Sequence, residues 1–411
     1  MEPWRWLKRW SRRTRPEDGN TAETSREAGS DAPKPGPAGR RWWPAVAATA
    51  LTLVVTSPVL VGAAPARASA LPPHLIASIP VSFTPVAVLV NPRTNQVYAE
   101  SVNTGDVAVI DGATNVVTTT LNLGGTSLGF GEVNLRTNRI YITNPNLNLT
   151  DVIDGATNRL LTTIPAPTGA QPDVVGINPQ TNRVYIVNVI GDSVSTADGT
   201  TNQITKTIPV GNQPIGIAVN PRTNRIYIVN NLDGTVSVID GGTHQVIATI
   251  PVGKDPTRVA ANPVTNRVYV VNAADDTLSV IDGATNAVVS TIRLWNSNPN
   301  GGPAFLVVNV QTNRIYVTGP LGSVWVVNGA LDRLVKIIGT FGVGIALNPR
   351  IDHVYTSGNN VSVIDGATNS VIRDIPVLGG GSDRCIAANP RTGRVYAANP
   401  TNNAISVIQD R

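Results

Sequence analysis

One eight-residue pattern, Asn-Pro-x-Thr-Asn-Arg-(Val/Ile)-Tyr, returns eight times in phase along this chain. Its copies, some of them degenerate, begin at Asn91, Asn134, Asn178, Asn220, Asn262, Asn309, Asn348 and Asn389. Successive copies lie 39 to 47 residues apart. A second signature, Val-Ile-Asp-Gly-Ala-Thr-Asn, follows the anchor within each unit and is clearest at Val109–Asn115, Val152–Asn158, Val280–Asn286 and Val363–Asn369. Self-similarity at such a period restricts the chain to architectures in which small units bury their apolar faces against one another.

The unit around the fourth anchor predicts four short strands. Ile215–Asn220 is an apolar run (strand A), and Pro221 to Asn224 makes a turn, because proline presets φ and asparagine tolerates the left-handed region. Ile226–Val229 is strand B, Asn231-Leu232-Asp233-Gly234 turns again, and Thr235–Ile239 alternates as strand C. Asp240-Gly241-Gly242 makes the last turn before strand D, Gln245–Ile250, which Pro251 and Gly253 stop. Four β-branched runs joined by tight turns form an antiparallel meander, and nothing in the unit has the length or period of a helix.

A lone meander leaves raw edges and buries too little, so the units must stack. Radial packing into a β-propeller buries both faces of every unit, with an extended solenoid as the competing arrangement. Strand A fits a tapering hub: bulky residues share the Ile217 column (Val88, Val175, Val259, Leu306, Ile345, Ile386), and small ones share the Ala218 column (Gly176, Ala260, Ala346, Ala387). The ends predict a closed ring. Leu75–Pro80 matches a strand D, and the last unit stops after its strand C at Ala404–Ile408. Pairing them completes a blade, which gives an all-β propeller of eight four-stranded blades, with seven as the alternative count.

The 411 residues divide into three parts: 1–41, polar and basic, read as disordered; 42–70, an export signal or membrane anchor; and 71–411, the propeller. Trp42 to Ala66 carries no charge, follows Arg40-Arg41, and precedes Ala-x-Ala sites at Ala66-Arg67-Ala68 and Ala68-Ser69-Ala70. Whether cleaved or kept as an anchor in the membrane, such a leader places the propeller outside the cytoplasm, because the basic flank stays inside. The net charge of +5 belongs to this leader: residues 1–70 hold 11 basic and 6 acidic side chains, and the remainder balances. A neutral body argues against nucleic acid as a partner. The single cysteine, Cys385, excludes an intramolecular disulfide, and three histidines leave little for metal chemistry.

Tyr141-Ile142-Thr143-Asn144, Tyr185-Ile186-Val187-Asn188, Tyr227-Ile228-Val229-Asn230 and Tyr269-Val270-Val271-Asn272, together with the anchors, resemble the YVTN β-propeller repeats of bacterial and archaeal envelope proteins, the YncE-like group. The resemblance spans residues 75–409. Units six and seven depart from it, with Tyr316-Val317-Thr318-Gly319 and Tyr355-Thr356-Ser357-Gly358 losing the final Asn. The resemblance implies a propeller at the cell surface or in the periplasm, and no reaction.

Repeated polar residues read as scaffold. The Asp series (Asp111, Asp154, Asp240, Asp282, Asp365) precedes Gly in the C–D turn, where a carboxylate accepts turn N–H groups. Chemistry in a repeat fold is sought where copies diverge. Glu132 stands in a column otherwise apolar or Gly, and Arg258 replaces small residues such as Ala87 and Gly216. Lys254 and Asp255 lie in the loop leading to Arg258. Trp295 and Asn296 belong to the longest insertion, and Asp383-Arg384 precedes Cys385. These eight residues are the candidate ligand contacts around the mouth of the channel; no catalytic residue, metal ligand or cofactor is assigned. The expected role is a non-enzymatic binding or surface-scaffold module for an envelope glycan, a peptide or a surface protein. The alternative is a lactonase-like or other hydrolase with a divalent metal at the funnel, drawing on Glu132, Asp173, Asp255 and Asp383.

Overall fold

The computed structural model describes residues 71–294, 302–319, 322–340, 342–377 and 385–410. They form eight four-stranded antiparallel sheets, each in the spatial order A-B-C-D. Blades 1 to 7 are continuous in sequence. Blade 8 takes strands A, B and C from Ile386–Asn389, Arg394–Asn399 and Ala404–Gln409, and its outer strand from His74–Pro80. That closing pair runs from His74 opposite Gln409 to Pro80 opposite Ala404. The count of eight and the predicted closure both hold.

The A strands of successive blades touch one another around the ring, including Pro85–Asn91 of blade 1 against Ile386–Asn389 of blade 8. They therefore line the axis and the D strands form the outer wall. In blade 4 the strands are Pro214–Asn220, Arg225–Asn230, Thr235–Asp240 and Gln245–Pro251. Pro251, expected to stop strand D, closes its ladder opposite Thr235; a proline is tolerated there because the strand lies at a sheet edge.

The apolar core is divided among the seams between blades. Tyr227, Val229, Val236 and Val238 of blade 4 pack on Val268, Val270 and Ile281 of blade 5, and the pattern recurs seam by seam. The seam that closes the ring packs Tyr396, Ala398, Ile405 and Val407 of blade 8 on Val97, Ala99, Ala108 and Ile110 of blade 1.

The signature residues tie this scaffold together. The first anchor Asn caps its own turn: Asn220 Oδ1 accepts the Arg222 and Thr223 N–H groups at 3.1 and 3.4 Å. Its amide donates across the seam to the second anchor Asn of the next blade, Asn266 Oδ1, at 2.9 Å. Asn266 has φ 55°, so one residue type supplies both the left-handed turn and the acceptor. The Asn that ends strand B is buried, and Asn230 Nδ2 donates to Thr235 Oγ1 and Ser237 Oγ, both at 2.9 Å. The Asp series behaves as expected of turn residues: Asp240 Oδ1 accepts from Gly242 and Thr243 N–H, while its other oxygen pairs with Arg225.

Candidate functional site

Strand A sets the shape of the channel layer by layer. The fourth residue before each anchor Asn is, from blade 1 to blade 8, Ala87, Phe130, Val174, Gly216, Arg258, Phe305, Gly344 and Cys385. The ladders place this layer toward the end of the ring that carries the D–A loops and B–C turns: Ala87 lies opposite Glu100, Gly216 opposite Val229, and Arg258 opposite Val271. It is also the layer in which the repeats differ most in chemistry.

Arg258, on blade 5, reaches across the axis. Its Cζ lies 4.9 Å from the centre of the Phe305 ring on blade 6 and 5.6 Å from that of Phe130 on blade 2. A side chain meets a residue three blades away only through the centre of the ring. Two aromatic faces around a guanidinium supply cation–π attraction that grows as water is excluded. Nη1 also donates to Thr257 O at 3.0 Å. Burial draws the Arg258 pKa down, opposed by electrostatic interactions with Asp173 on blade 3 and with Cys385 on blade 8. Reciprocally, burial pushes the Asp173 carboxyl up and Arg258 draws it down. Five blades thus converge on one guanidinium.

Blade 2 is bent to reach it. Its strand A is only Glu132–Asn134; before it, Gly129 N–H still donates to Thr143 O of the same blade at 2.8 Å, while Phe130 turns to the next blade. Phe130 N–H donates to Asp173 O at 2.8 Å, and Phe130 forms an isolated parallel bridge with Val174 of blade 3. Thr143 Oγ1 donates to the same carbonyl at 2.7 Å. Gly129 permits the approach, since a Cβ there would overlap both Thr143 Oγ1 and the Asp173 carbonyl. Glu132, two residues past Phe130, accepts from the Ile177 N–H, yet burial still pushes its pKa up to about 8. At neutral pH it stands as a neutral acid, able to donate as well as accept.

Lys254 and Asp255 sit at the rim. Asp255 has φ 51°, and its carboxylate accepts from Asn231 Nδ2 of blade 4 at 2.6 Å. The Lys254 N–H donates to Asp275 at 2.7 Å, and its side chain is exposed. Both residues thus shape the mouth through loop-to-loop bonds. Trp295, Asn296, Asp383 and Arg384 lie outside the described residues. Of the candidates that are described, Arg258 and Glu132 belong to the channel wall, and Lys254 and Asp255 to the loops above it. Sequence reasoning passed over Phe130 and Phe305, and used Cys385 only to exclude a disulfide. The fourth position before the anchor, read down all eight units, carries that signal. Among the described residues no group of three or more His, Cys, Asp or Glu side chains is placed to hold a metal ion.

A further buried acid lies behind this layer. Glu100, opposite Ala87, is fully buried on the seam between blades 1 and 2. Neither of its oxygens has a partner among the described residues, and burial pushes it up to about 8.

A YNCE-like β-propeller family model matches residues 218–299. No curated protein matches the chain. Among solved structures, Kuenenia stuttgartiensis hydrazine synthase is similar, with a TM-score of 0.54 and 19% sequence identity. That similarity covers 67% of this chain and 93% of the other, and at such identity it shows a shared fold alone.

Proposed function

On the premise that the chain is an eight-bladed β-propeller of the YncE-like type, we propose that it is an extracytoplasmic recognition module that holds its ligand at the mouth of the central channel. Residues 42–66 would export it or anchor it in the membrane, which presents the channel to the cell envelope. The observation that carries this reading is the convergence on the Arg258 layer. Residues of five blades meet there: the Arg258 guanidinium lies against two aromatic rings and interacts electrostatically with the Asp173 carboxyl and with Cys385, and Glu132 stands two residues beyond Phe130 on blade 2. A few polar groups set among apolar walls in a concave, preformed site are what small-ligand recognition requires. The ligand class that fits is an oxygen-rich envelope component, a glycan or a peptide, offering acceptors to Arg258 and hydroxyl or amide groups to Glu132.

Glycan and peptide arrays probed with the purified protein test this reading. Any ligand found should lose at least about tenfold in affinity in Arg258→Ala, equivalent to one charge-assisted hydrogen bond, and retain it in Lys254→Ala. Unchanged affinity in Arg258→Ala overturns the site. Fractionation of cells carrying the full-length chain tests the envelope location; recovery in the cytosol overturns it.

A further inference from the structure

Seven of the eight seams share one tie at the face opposite the proposed site. The amide of the first anchor Asn donates to the second anchor residue of the next blade: Asn91 to Asn138, Asn134 to Asn182, Asn178 to Asn224, Asn220 to Asn266, Asn262 to Asn313, Asn309 to Asp352, and, across the closure, Asn389 to Asn95, at 2.6 to 2.9 Å. The seam between blades 7 and 8 lacks this tie, because the second anchor position of blade 8 is Gly393, with φ 68°.

A second exchange accompanies the first. In blades 1 to 7 the residue that follows the C–D turn Asp or Asn is glycine. A Cβ on Gly241 would meet Tyr185 Oη at 2.8 Å, and one on Gly329 would meet Tyr269 Oη at 2.5 Å and Asn313 Oδ1 at 2.6 Å. The anchor Asn of the same blade and the Tyr of the preceding blade thus enforce glycine there. In blade 8 the equivalent residue is Asp410, whose N–H keeps the repeat's bond to Gly393 O at 2.8 Å. With no Asn side chain on residue 393, a carboxylate fits where the other blades need glycine. A third exchange faces it: His353 stands at the start of strand B in blade 7, where most blades carry Arg. Asp410 is 1% exposed, and its Oδ2 lies 2.7 Å from His353 Nδ1 and accepts from Tyr355 Oη at 2.7 Å.

We propose that the seam between blades 7 and 8 is a proton-operated latch on the closing blade, in which the amide-donated tie of the other seams is replaced by a His353–Asp410 ion pair. Asp410 directly follows the strand that pairs with His74–Pro80, so the latch bears on the one blade assembled from both ends of the propeller. The charged and titratable groups facing His353 are Asp410 from blade 8, Asp365 from the adjacent strand, Asp352 from its own A–B turn and Tyr355 on its own strand, with Arg314 of blade 6 acting on Asp352. The bond to Asp410 and the neighbouring carboxylates outweigh burial and hold the His353 pKa above its usual value. A raised histidine contributes stability that is complete below its unfolded pKa and is lost as pH rises through the folded one. The latch is therefore closed in mild acid and weakened in mild base.

The test uses the full-length protein at pH 5.5 and 8.5, the parent chain beside His353→Asn, which keeps a neutral donor, and the double variant Gly393→Asn/Asp410→Gly, which restores the repeat. Between the two pH values the parent Tm should fall by about 1–3 °C more than that of either variant. Hydrogen-exchange protection over Ala404–Asp410 should decline toward pH 8.5 in the parent alone. Equal pH dependence of that protection in the parent and His353→Asn overturns the latch. Should the double variant fail to fold, the His353→Asn comparison decides by itself.

Discussion

At the residue scale, asparagine repeats in this chain because its amide is both donor and acceptor and its backbone tolerates positive φ. Asn230 illustrates what one copy does. The bond from its Nδ2 to Ser237 is buried and that to Thr235 partly so; Asn230→Ala takes this donor from a buried Ser237 and should cost about 2 kcal/mol, read as a lower urea midpoint with unchanged slope. The Arg225–Asp240 pair is a useful contrast. Its side chains are 28% and 26% exposed, so Arg225→Ala should cost about 0–1 kcal/mol in the same assay. Glu100 acts in the opposite sense. A buried acid with a folded pKa of about 8 keeps its proton where the unfolded chain has released it. Stability therefore falls as pH rises from the usual carboxyl range toward 8 and is flat above it. Glu100→Gln removes that decline, so its advantage over the parent should grow from pH 5 to pH 8 to a few kcal/mol. Parallel curves for the two proteins across that range would show that the carboxyl is solvated.

At the scale of elements, departures from the repeat come in compensating pairs. Blade 6 follows strand B with Gly319 where the repeat has Asn, and its strand C carries Trp325 where blades 3, 4 and 5 have Ser. The two exchanges are one packing event: a Cβ on Gly319 would lie 2.6 Å from Trp325 Cη2, and the indole is fully buried in the space that the amide–hydroxyl network fills elsewhere. Gly319→Asn should then cost about 1–3 kcal/mol by overpacking, and Trp325→Ser about 3–5 kcal/mol by leaving a cavity. The double variant should be less destabilised than the two singles together, a coupling that a double-mutant cycle in urea measures. The same logic separates what was legible in the sequence from what was not. Strands, turns and blade count are written eight times over, so a degenerate unit is corrected by its neighbours, as Gly319 and Gly358 are. The candidate site has no such redundancy. Arg258 and Glu132 stood out as charges in apolar columns, but Phe130 and Phe305 are apolar residues in an apolar strand. Their role depends on which residue faces which across a ring, and on blade 2 bending toward blade 3 at Gly129. Asp255 is a different case: its carboxylate, polar and beside the mouth, accepts from Asn231 of the neighbouring blade.

For the whole molecule, closure joins the local rules into one cooperative structure. Each seam buries its own cluster, and a ring of seams has no free face only if the last blade is complete. The strand His74–Pro80 supplies that completion, pairing with Ala404–Gln409 and burying Ile79 among Val407, Ile405 and the seam to blade 1. Without it, blade 8 would have three strands and an unpaired outer edge on Ala404–Gln409, beside the seam that carries the latch. An exposed edge is a template for pairing with another chain. Deleting residues 74–80 from the full-length protein should therefore lower the melting temperature and produce oligomers on size-exclusion chromatography. A synthetic peptide of sequence HLIASIP, added in excess, should reverse both by refilling the edge, because any ligand of the folded ring alone stabilises it by mass action. A deletion variant that melts with the parent and remains monomeric would mean that three strands suffice for the last blade. The ring would then be held by its seams and not by the meeting of its two ends.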